Sequence, residues 1–168
     1  MSTWQIIPLA DAHDRSQFSC GQPSLNDYLK KYAKQNEGKD YSRTFVLVRE
    51  QETRVWGYYT LSAGQIERAS ISPQSAKSLP KYPAPAIILA RLAVDESMKG
   101  QSLGRRLLVD SLQRCLVVGD QIGIHAVFVK AIDTGAAEFY QHFGFIPLID
   151  SPLELYLPLA TLRAARGA

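Results

Sequence analysis

Residues 86–94 read AIILARLAV, the most apolar run in the chain. A short and almost uninterrupted apolar run is typical of a central strand that is buried on both faces. A loop with two glycines follows, and then residues 103–118 place leucines at helical spacing, which predicts an amphipathic helix that stops near Gly119. A buried strand that leads into such a helix indicates an α/β protein.

The rest of the chain extends this pattern outward from the central strand. Further strands are predicted at residues 4–8, 43–49, 55–61, 126–129, 145–149 and 153–157. Helices are predicted at residues 24–35 and 135–142, and in the first of them Ser24 is the expected N-cap and Leu25, Tyr28, Leu29 and Tyr32 the buried stripe. Residues 62–85 are expected to form a long loop, and Arg163 and Arg166 to lie in a basic tail. The sequence therefore predicts a mixed α/β sheet with helices packed on it.

The composition of the chain is that of a folded, globular protein. The chain has 168 residues, of which 46% are hydrophobic and 21% charged, as in globular proteins and unlike disordered chains. This length predicts a single domain, residues 1–168. The formal net charge of +3 permits an anionic partner without requiring one.

The cysteine pattern and the absence of targeting signals indicate the cellular compartment. Cys20 and Cys115 are far apart in sequence and form no CxxC motif, which disfavours a disulfide framework and a zinc site. The N-terminal residues lack the pattern of a secretory signal, and no stretch approaches the roughly 20 apolar residues of a membrane span. We therefore expect a cytoplasmic protein.

Two features around the central strand call for a chemical explanation. Arg91 interrupts the apolar run, and we expect its guanidinium to face a solvent-filled cleft or to meet a carboxylate. The loop and helix start at residues 94–106 read VDESMKGQSLGRR, so that Arg105 and Arg106 stand at a helix N-terminus, where cations oppose the macrodipole. A bound diphosphate would reverse that effect. A plain turn with solvated arginines is the alternative reading.

A second segment, residues 133–145, reads DTGAAEFYQHFGF. Together the two segments resemble the GNAT superfamily of acetyl-CoA-dependent N-acetyltransferases. The family motif Gln/Arg-x-x-Gly-x-Gly/Ala corresponds to residues 99–104. The second motif, Asn-x-x-Ala-x-x-x-Tyr-x-x-x-Gly-Phe, is matched by Asp133, Ala136, Tyr140, Gly144 and Phe145.

The resemblance implies a GNAT fold, with splayed central strands that bind acetyl-CoA as co-substrate, and no metal. It implies that Tyr140 is catalytic and points at the thioester sulfur, and that acetyl-CoA is bound by Leu92, Ala93, Val94, Lys99, Gly100, Gln101, Ser102, Leu103, Gly104, Arg105, Asp133, Ala136 and Phe139. Lys99, Ser102 and Asp133 depart from the family pattern. The N–H of Ser102 can still donate to a phosphate if its φ need not be positive.

Reference pKa values constrain the reaction. A lysine amine is neutral in about one molecule in a thousand at pH 7, whereas an α-amino group is neutral in roughly a tenth to a fifth. Residues 86–94 contain no acidic residue that could act as a base, and Glu67 is the nearest upstream. This absence favours an acceptor amine of low pKa. Tyr140 is a weaker acid than a thiol, so proton donation must be concerted with thiolate departure or the pKa of Tyr140 must be lowered.

A closer resemblance implies which class of amine accepts the acetyl group. Cys20-Gly21, SLNDYL at residues 24–29, GYYTLS at 57–62 and ILARLAV at 88–94 are similar to the TacT-like GNAT toxins of bacterial toxin–antitoxin pairs. This resemblance implies acetylation of the α-amino group of aminoacyl-tRNA, a block of translation, and neutralisation by a ribbon-helix-helix antitoxin, through which DNA is contacted only indirectly. It leaves open whether the active form is a monomer or a homodimer.

Basic residues supply a possible tRNA surface. The residues expected to contact this substrate are Lys30, Lys31, Lys34, Arg43, Lys77, Lys81 and Arg91. A solvated helix face is the alternative for the three helix lysines. Two other functions also remain open: a GNAT that acetylates a small amine or a protein N-terminus, and a non-catalytic co-repressor that binds an antitoxin.

Overall fold

Strands and helices alternate along the chain largely as the sequence indicates. The computed structural model describes residues 3–166; residues 1, 2, 167 and 168 of the predicted domain lie outside this range. Its strands are β1 Trp4–Pro8, β2 Arg43–Arg49, β3 Gly57–Ile66, β4 Ala84–Val94, β5 Ala126–Lys130, β6 Ile146–Leu148 and β7 Ser151–Pro158. Its α-helices are α1 Pro23–Asp27, α2 Ala33–Gly38, α3 Pro73–Ala76, α4 Leu103–Gly119, α5 Thr134–His142 and α6 Leu159–Arg166.

The strands form one mixed sheet in the order β1-β2-β3-β4-β5-β7-β6. Strand β4 pairs in parallel with β5 from Ala86 to Leu89, and the pairs β1·β2, β2·β3, β5·β7 and β6·β7 are antiparallel. A parallel pair requires a crossover, which α4 provides between β4 and β5. The predicted mixed α/β class is confirmed.

The described chain divides into two compact units, residues 3–62 with 90–111 and residues 63–89 with 112–166. In the first unit, β1, β2 and the start of β3 cover a core that contains Phe18, Leu29, Val46 and Tyr58, all fully buried. In the second unit, a core cluster includes Ile66, Ile71, Ala86, Ala126 and Tyr156. The single domain over residues 1–168 stays a prediction.

Both cysteines are buried free thiols within these units. Burial raises the pKa of the Cys115 thiol to about 12 and also raises that of Cys20. In residues 3–166, no helix combines the length and apolar character needed to cross a bilayer.

The predicted loop at residues 62–85 is wrong in part. Strand β3 continues to Ile66, a 3₁₀ turn follows at Arg68–Ser70, α3 comes next, and β4 already begins at Ala84. The small residues after Leu61 carry little strand propensity, yet Gly64 lets the backbone pack against Ile88, because a Cβ there would lie 2.7 Å from that side chain. Tertiary packing therefore extends this strand.

Two further boundaries differ from the prediction. The expected basic tail is helical, because Arg163 and Arg166 belong to α6. The last strand includes Ser151 and Pro152, which were expected to separate two strands.

The N-terminal helical stretch differs from the prediction in its cap and in its buried face. Gln22 is the N-cap and has no side-chain capping bond, while Pro23 opens the helix, so Ser24 is not the cap. A π-helical segment, Tyr28–Tyr32, separates α1 from α2, and the N–H of Ala33 donates to the carbonyl of Tyr28. The buried stripe therefore continues with Ala33, and Tyr32 is 50% exposed.

Gly144 links α5 to β6 at φ +95°, a conformation that L side chains rarely adopt. We expect Gly144→Ala to lower the free energy of unfolding by about 1 kcal/mol, measured by urea denaturation. Gly38→Ala is the control, because Gly38 is helical and a Cβ there meets no atom within 4 Å. A Gly144→Ala protein as stable as Gly38→Ala would contradict this strain.

Candidate functional site

The turn after β4 is organised by a buried carboxylate. Asp95 is only 3% exposed, and its carboxylate accepts hydrogen bonds from the Ser97 N–H and hydroxyl at 3.0 and 2.7 Å and from the Ser19 N–H at 3.1 Å. Burial alone would raise the pKa of Asp95, but these hydrogen bonds outweigh it and keep the pKa below its usual value. Its own N–H donates to the carbonyl of Trp56 at 2.8 Å. The end of β4 is thereby fixed to the neighbouring strand region.

Asp95 was not among the candidate residues predicted from the sequence. The Asp-x-Ser spacing of Asp95 and Ser97 was an available signal, because an Asp side chain commonly binds the backbone N–H two residues later.

The loop then turns sharply into α4. Gly100 has φ +85° and Ser102 has φ +60°, and the Arg106 N–H donates to the Ser102 carbonyl. The condition set for Ser102 in the sequence, that its φ need not be positive, is therefore not met. This position requires the left-handed conformation that the family glycine supplies at little cost, whereas a side-chain-bearing residue pays about 1–2 kcal/mol.

The start of α4 combines backbone donors with cationic side chains. Leu103 is 3% exposed and anchors the helix, whereas Lys99, Gln101, Arg105 and Arg106 are exposed. The first N–H groups of an α-helix have no intrahelical acceptor, and the helix dipole adds positive potential there. No acidic residue occupies the first turn of α4. This arrangement can bind a phosphate group.

The last residues of β4 carry the other predicted contacts in this unit. Ala93 is buried in the core, and Leu92 and Val94 are partly buried. The guanidinium of Arg91 lies 3.7 Å from the centre of the Tyr28 ring. The structure gives the Arg91 guanidinium an aromatic ring as its partner in place of the expected carboxylate. This cation–π contact stabilises the partly buried charge.

In the second unit, α5 presents the second motif. The Asp133 carboxylate caps this helix by accepting the Ala136 N–H at 2.8 Å, which accounts for an acidic residue at this position. Tyr140 is 8% exposed, and its ring contacts the rings of Phe139 and Phe145 at centroid distances of 5.3 and 5.4 Å. The phenol is held in one orientation by aromatic packing.

Burial raises the pKa of Tyr140 to about 12. The alternative in which the protein lowers this pKa to match a thiol is therefore wrong for the free protein. If Tyr140 is the acid, as predicted from the resemblance, the alternative left is proton donation concerted with bond cleavage.

Apart from Arg91, the predicted tRNA contacts are on the surface, and three of the seven have acidic neighbours. Lys31 pairs with Asp27 at 3.6 Å, Lys34 with Asp11 at 3.3 Å and Arg43 with Asp40 at 2.7 Å. Lys30 is exposed in the first unit, and Lys77 and Lys81 are exposed in the second. Exposed ion pairs contribute little to stability, so these cations are available to an anionic ligand.

Glu67 is the acidic residue nearest upstream of β4 in the sequence. Glu67 is exposed and accepts a hydrogen bond from Gln65 at 3.3 Å. Within residues 3–166, no group of three or more His, Cys, Asp or Glu side chains is placed to hold a metal ion.

Comparison with known proteins agrees with the two motifs. Residues 41–147 match the family model of the acetyltransferase (GNAT) domain. A "tRNA-acetylating toxin" of Mycobacterium tuberculosis (strain ATCC 25618 / H37Rv) is 40% identical over 159 residues, covering 95% of this chain and 94% of the relative.

Solved structures of toxins are similar over nearly the whole chain. AtaT complexed with acetyl-methionyl-tRNAfMet has a TM-score of 0.91 at 31% identity and covers 98% of this chain and 99% of its own. A Tyr-to-Phe mutant of AtaT bound to the C-terminus of the antitoxin AtaR and acetyl-CoA has a TM-score of 0.85 at 29% identity, with coverage of 98% and 99%. A KacTA–DNA complex has a TM-score of 0.83 at 31% identity, with the same coverage.

The strain at Ser102 can be measured directly. We expect Ser102→Gly to raise the free energy of unfolding by up to about 1 kcal/mol and Ser102→Val to lower it by more than about 1 kcal/mol, because only glycine adopts this φ without strain. Gln101→Gly is the control, since it adds flexibility without relieving a positive φ. A Ser102→Gly protein destabilised as much as Gln101→Gly would contradict the strain.

Proposed function

The chain belongs to the GNAT acetyltransferase family, and from this premise we propose that it transfers the acetyl group of acetyl-CoA to the α-amino group of the amino acid on charged tRNA. Acetylation of that amine blocks its use in peptide bond formation, so the protein acts as a toxin of translation. The observation that carries the proposal is 40% identity, over nearly full length, to a tRNA-acetylating toxin. Similarity to AtaT in complex with acetyl-methionyl-tRNAfMet supports the same substrate class.

The turn before α4 suits the diphosphate of acetyl-CoA. Main-chain N–H groups from Gly100 to Gly104 would bind the phosphate oxygens at the positive end of the helix dipole, and the Lys99 and Arg105 side chains would add charge. This role gives a reason for basic residues at a helix N-terminus that otherwise oppose the dipole. The positive φ of Ser102 is compatible with it, since a left-handed residue orients successive N–H groups toward one anion.

Residues after the paired part of β4 suit the pantetheine arm. The register of β4 with β5 runs from Ala86 to Leu89, and Leu92, Ala93 and Val94 lie beyond it. Their main-chain groups would bind the amides of the arm as an added strand does. On α5, Ala136 and Phe139 would contact the same co-substrate, while Asp133 acts on it indirectly by capping the helix.

Tyr140 is the proposed proton donor. When the amine nitrogen attacks the thioester carbonyl, the C–N bond forms, the C–S bond breaks, and the sulfur leaves with the electron pair of that bond. Tyr140 would deliver its phenolic proton to the sulfur as the bond breaks. The amine nitrogen, which becomes positively charged on attack, would release one proton to water, and the phenolate of Tyr140 would regain one from water, so that the amide, the thiol and the neutral phenol result. With a pKa of about 12 the phenol is a weaker acid than a thiol by about 3.5 pKa units, or about 5 kcal/mol, so a separate prior proton transfer is unfavourable.

The acceptor amine needs no strong base under this proposal. An α-amino group with a pKa near 7.7–8.0 is neutral often enough at physiological pH to attack unaided. The lack of acidic residues in β4 and the exposed position of Glu67 agree with such an acceptor.

The proposed partners also include an antitoxin and, through it, DNA. AtaT is bound to its antitoxin AtaR, and KacTA is bound to DNA, in solved structures similar to this chain. We infer a ribbon-helix-helix antitoxin as partner, with DNA contacted through it, and action in the cytoplasm, where charged tRNA occurs.

The direct test is incubation with labelled acetyl-CoA and total charged tRNA, followed by identification of the acetylated aminoacyl ends. We expect label on the α-amino group, and a rate at least about 100-fold lower for Tyr140→Phe, because the general acid is lost while the ring packing is kept. Antitoxin binding by Tyr140→Phe is the control for folding. Undiminished acetylation would remove Tyr140 from catalysis, and absence of label on any charged tRNA would remove the proposed substrate.

The dependence of the rate on pH distinguishes titration of the acceptor α-amino group from titration of Tyr140. We expect kcat/KM for charged tRNA to rise roughly tenfold between about pH 6.5 and about pH 8 as the amine loses its proton, and then to level off. Tyr140, with a pKa of about 12, stays protonated throughout and produces no descending limb. A bell-shaped profile that falls by about pH 9 would assign proton donation to a group of lower pKa.

A further inference from the structure

The π-helical segment leaves the Tyr32 side chain half exposed, next to exposed lysines in the sequence. In a regular α-helix Tyr32 would follow Tyr28 by four residues and share its buried face. Here the Ala33 N–H donates to the Tyr28 carbonyl, five residues back, so one extra residue is accommodated in the turn. Ala33 is fully buried, while Tyr32 is 50% exposed. The segment therefore removes Tyr32 from the core.

The buried side of this segment is held firmly. The Tyr28 hydroxyl hydrogen-bonds to that of Ser42 at 2.9 Å and accepts from the Asn36 amide at 3.2 Å, and the Tyr28 ring carries the Arg91 guanidinium. These contacts fix the rotation of the helix and keep Tyr32 exposed. π-Helical turns inside helices occur frequently at functional sites.

The chain returns beside this helix with a second exposed tyrosine. The Tyr41 N–H donates to the carbonyl of Asn36, which lies one turn beyond Tyr32, and Tyr41 is 74% exposed. The preceding residue, Asp40, has φ +59° and forms the turn that brings Tyr41 back. Two tyrosines, one half exposed and one largely exposed, thus flank α2 in the sequence.

Exposed cationic side chains lie close to these two tyrosines in the sequence, and two of them, Lys31 and Arg43, also pair with the exposed carboxylates of Asp27 and Asp40. Lys30 and Lys31 immediately precede Tyr32 and are exposed, and Arg43 is exposed two residues after Tyr41. Lys30 also lines an open depression of about 470 Å³ together with His13, Asp14, Arg15 and Ser16. Exposed aromatic rings interleaved with Lys and Arg are the pattern that binds single-stranded nucleic acid, with bases stacked on rings and phosphates near the cations.

We propose that Tyr32, aided by Tyr41, is a stacking platform for an unpaired nucleotide of the tRNA, whose phosphates are contacted by Lys30 and Lys31. This inference rests on the proposed function and adds to it a recognition element that depends on ring stacking rather than on charge. Tyr32 is half exposed and Tyr41 is largely exposed without substrate, so both tyrosines are accessible before tRNA binds.

The test compares variants at Tyr32 that differ in the ring alone. Tyr32→Phe keeps the aromatic face, whereas Tyr32→Leu keeps apolar bulk on the helix without it. We expect Tyr32→Leu to raise the Kd for deacylated tRNA at least about fivefold and Tyr32→Phe to change it less than about twofold. The slope of log Kd against log salt should stay the same for both, whereas Lys30→Ala should reduce it by about 1.

A blunt RNA duplex, which has no unpaired nucleotides, is the control ligand for tRNA. We expect Tyr32→Leu to bind this duplex as the unsubstituted protein does. Equal tRNA binding by Tyr32→Leu and the unsubstituted protein, equal losses on tRNA and duplex, or a changed salt slope would each overturn the proposal. Weakened binding of the antitoxin by Tyr32→Leu with tRNA binding intact would assign the ring to a protein partner and also overturn it.

Failure of this inference is distinct from failure of the proposed function. Acetylation of charged tRNA by the unsubstituted protein tests the function, and thermal denaturation confirms that the Tyr32 variants are folded. If acetylation occurs and the Tyr32→Leu protein binds tRNA normally, only the stacking platform is lost.

Discussion

The hydrogen bonding of the buried Asp95 carboxylate is the constraint on which the first motif depends. A carboxylate that is 3% exposed is tolerated only when its oxygens are satisfied, and here Ser97 and Ser19 do so. Those hydrogen bonds join the end of β4 to the segment around Ser19, and the Trp56 carbonyl holds the Asp95 N–H. The direction in which the chain leaves the sheet, and with it the position of the α4 N-terminus, follows from this one buried charge.

Much of the fold could be predicted because it depends on periodicity. Strand β4 and helix α4 carry strong apolar patterns, and their boundaries agree with the sequence within a few residues. The extension of β3 to Ile66 could not be predicted in this way, because Ser62, Ala63 and Gly64 carry little strand propensity and the strand there is sustained by packing on Ile88.

In the candidate site, too, the sequence predicts which residues are involved but not their backbone conformation or surroundings. The resemblance to the GNAT motifs identified Tyr140 as a candidate, and the same resemblance, together with the glycines and arginines, identified the turn before α4. Spacing could not reveal that Ser102 has a positive φ, that Asp133 caps α5, or that burial raises the pKa of Tyr140, because each of these depends on backbone conformation or surroundings. The π-helical turn was missed for a related reason: the pattern of Leu25, Tyr28, Leu29 and Tyr32 fits a regular helix equally well.

Burial of the two thiols has a practical outcome for enzymology. Thiolates, not thiols, react with disulfide reagents, and both Cys20 and Cys115 are shielded from solvent and held in the protonated form. A chromogenic disulfide added to the folded enzyme should therefore report each coenzyme A molecule set free, while the protein's own sulfur atoms contribute almost no background colour.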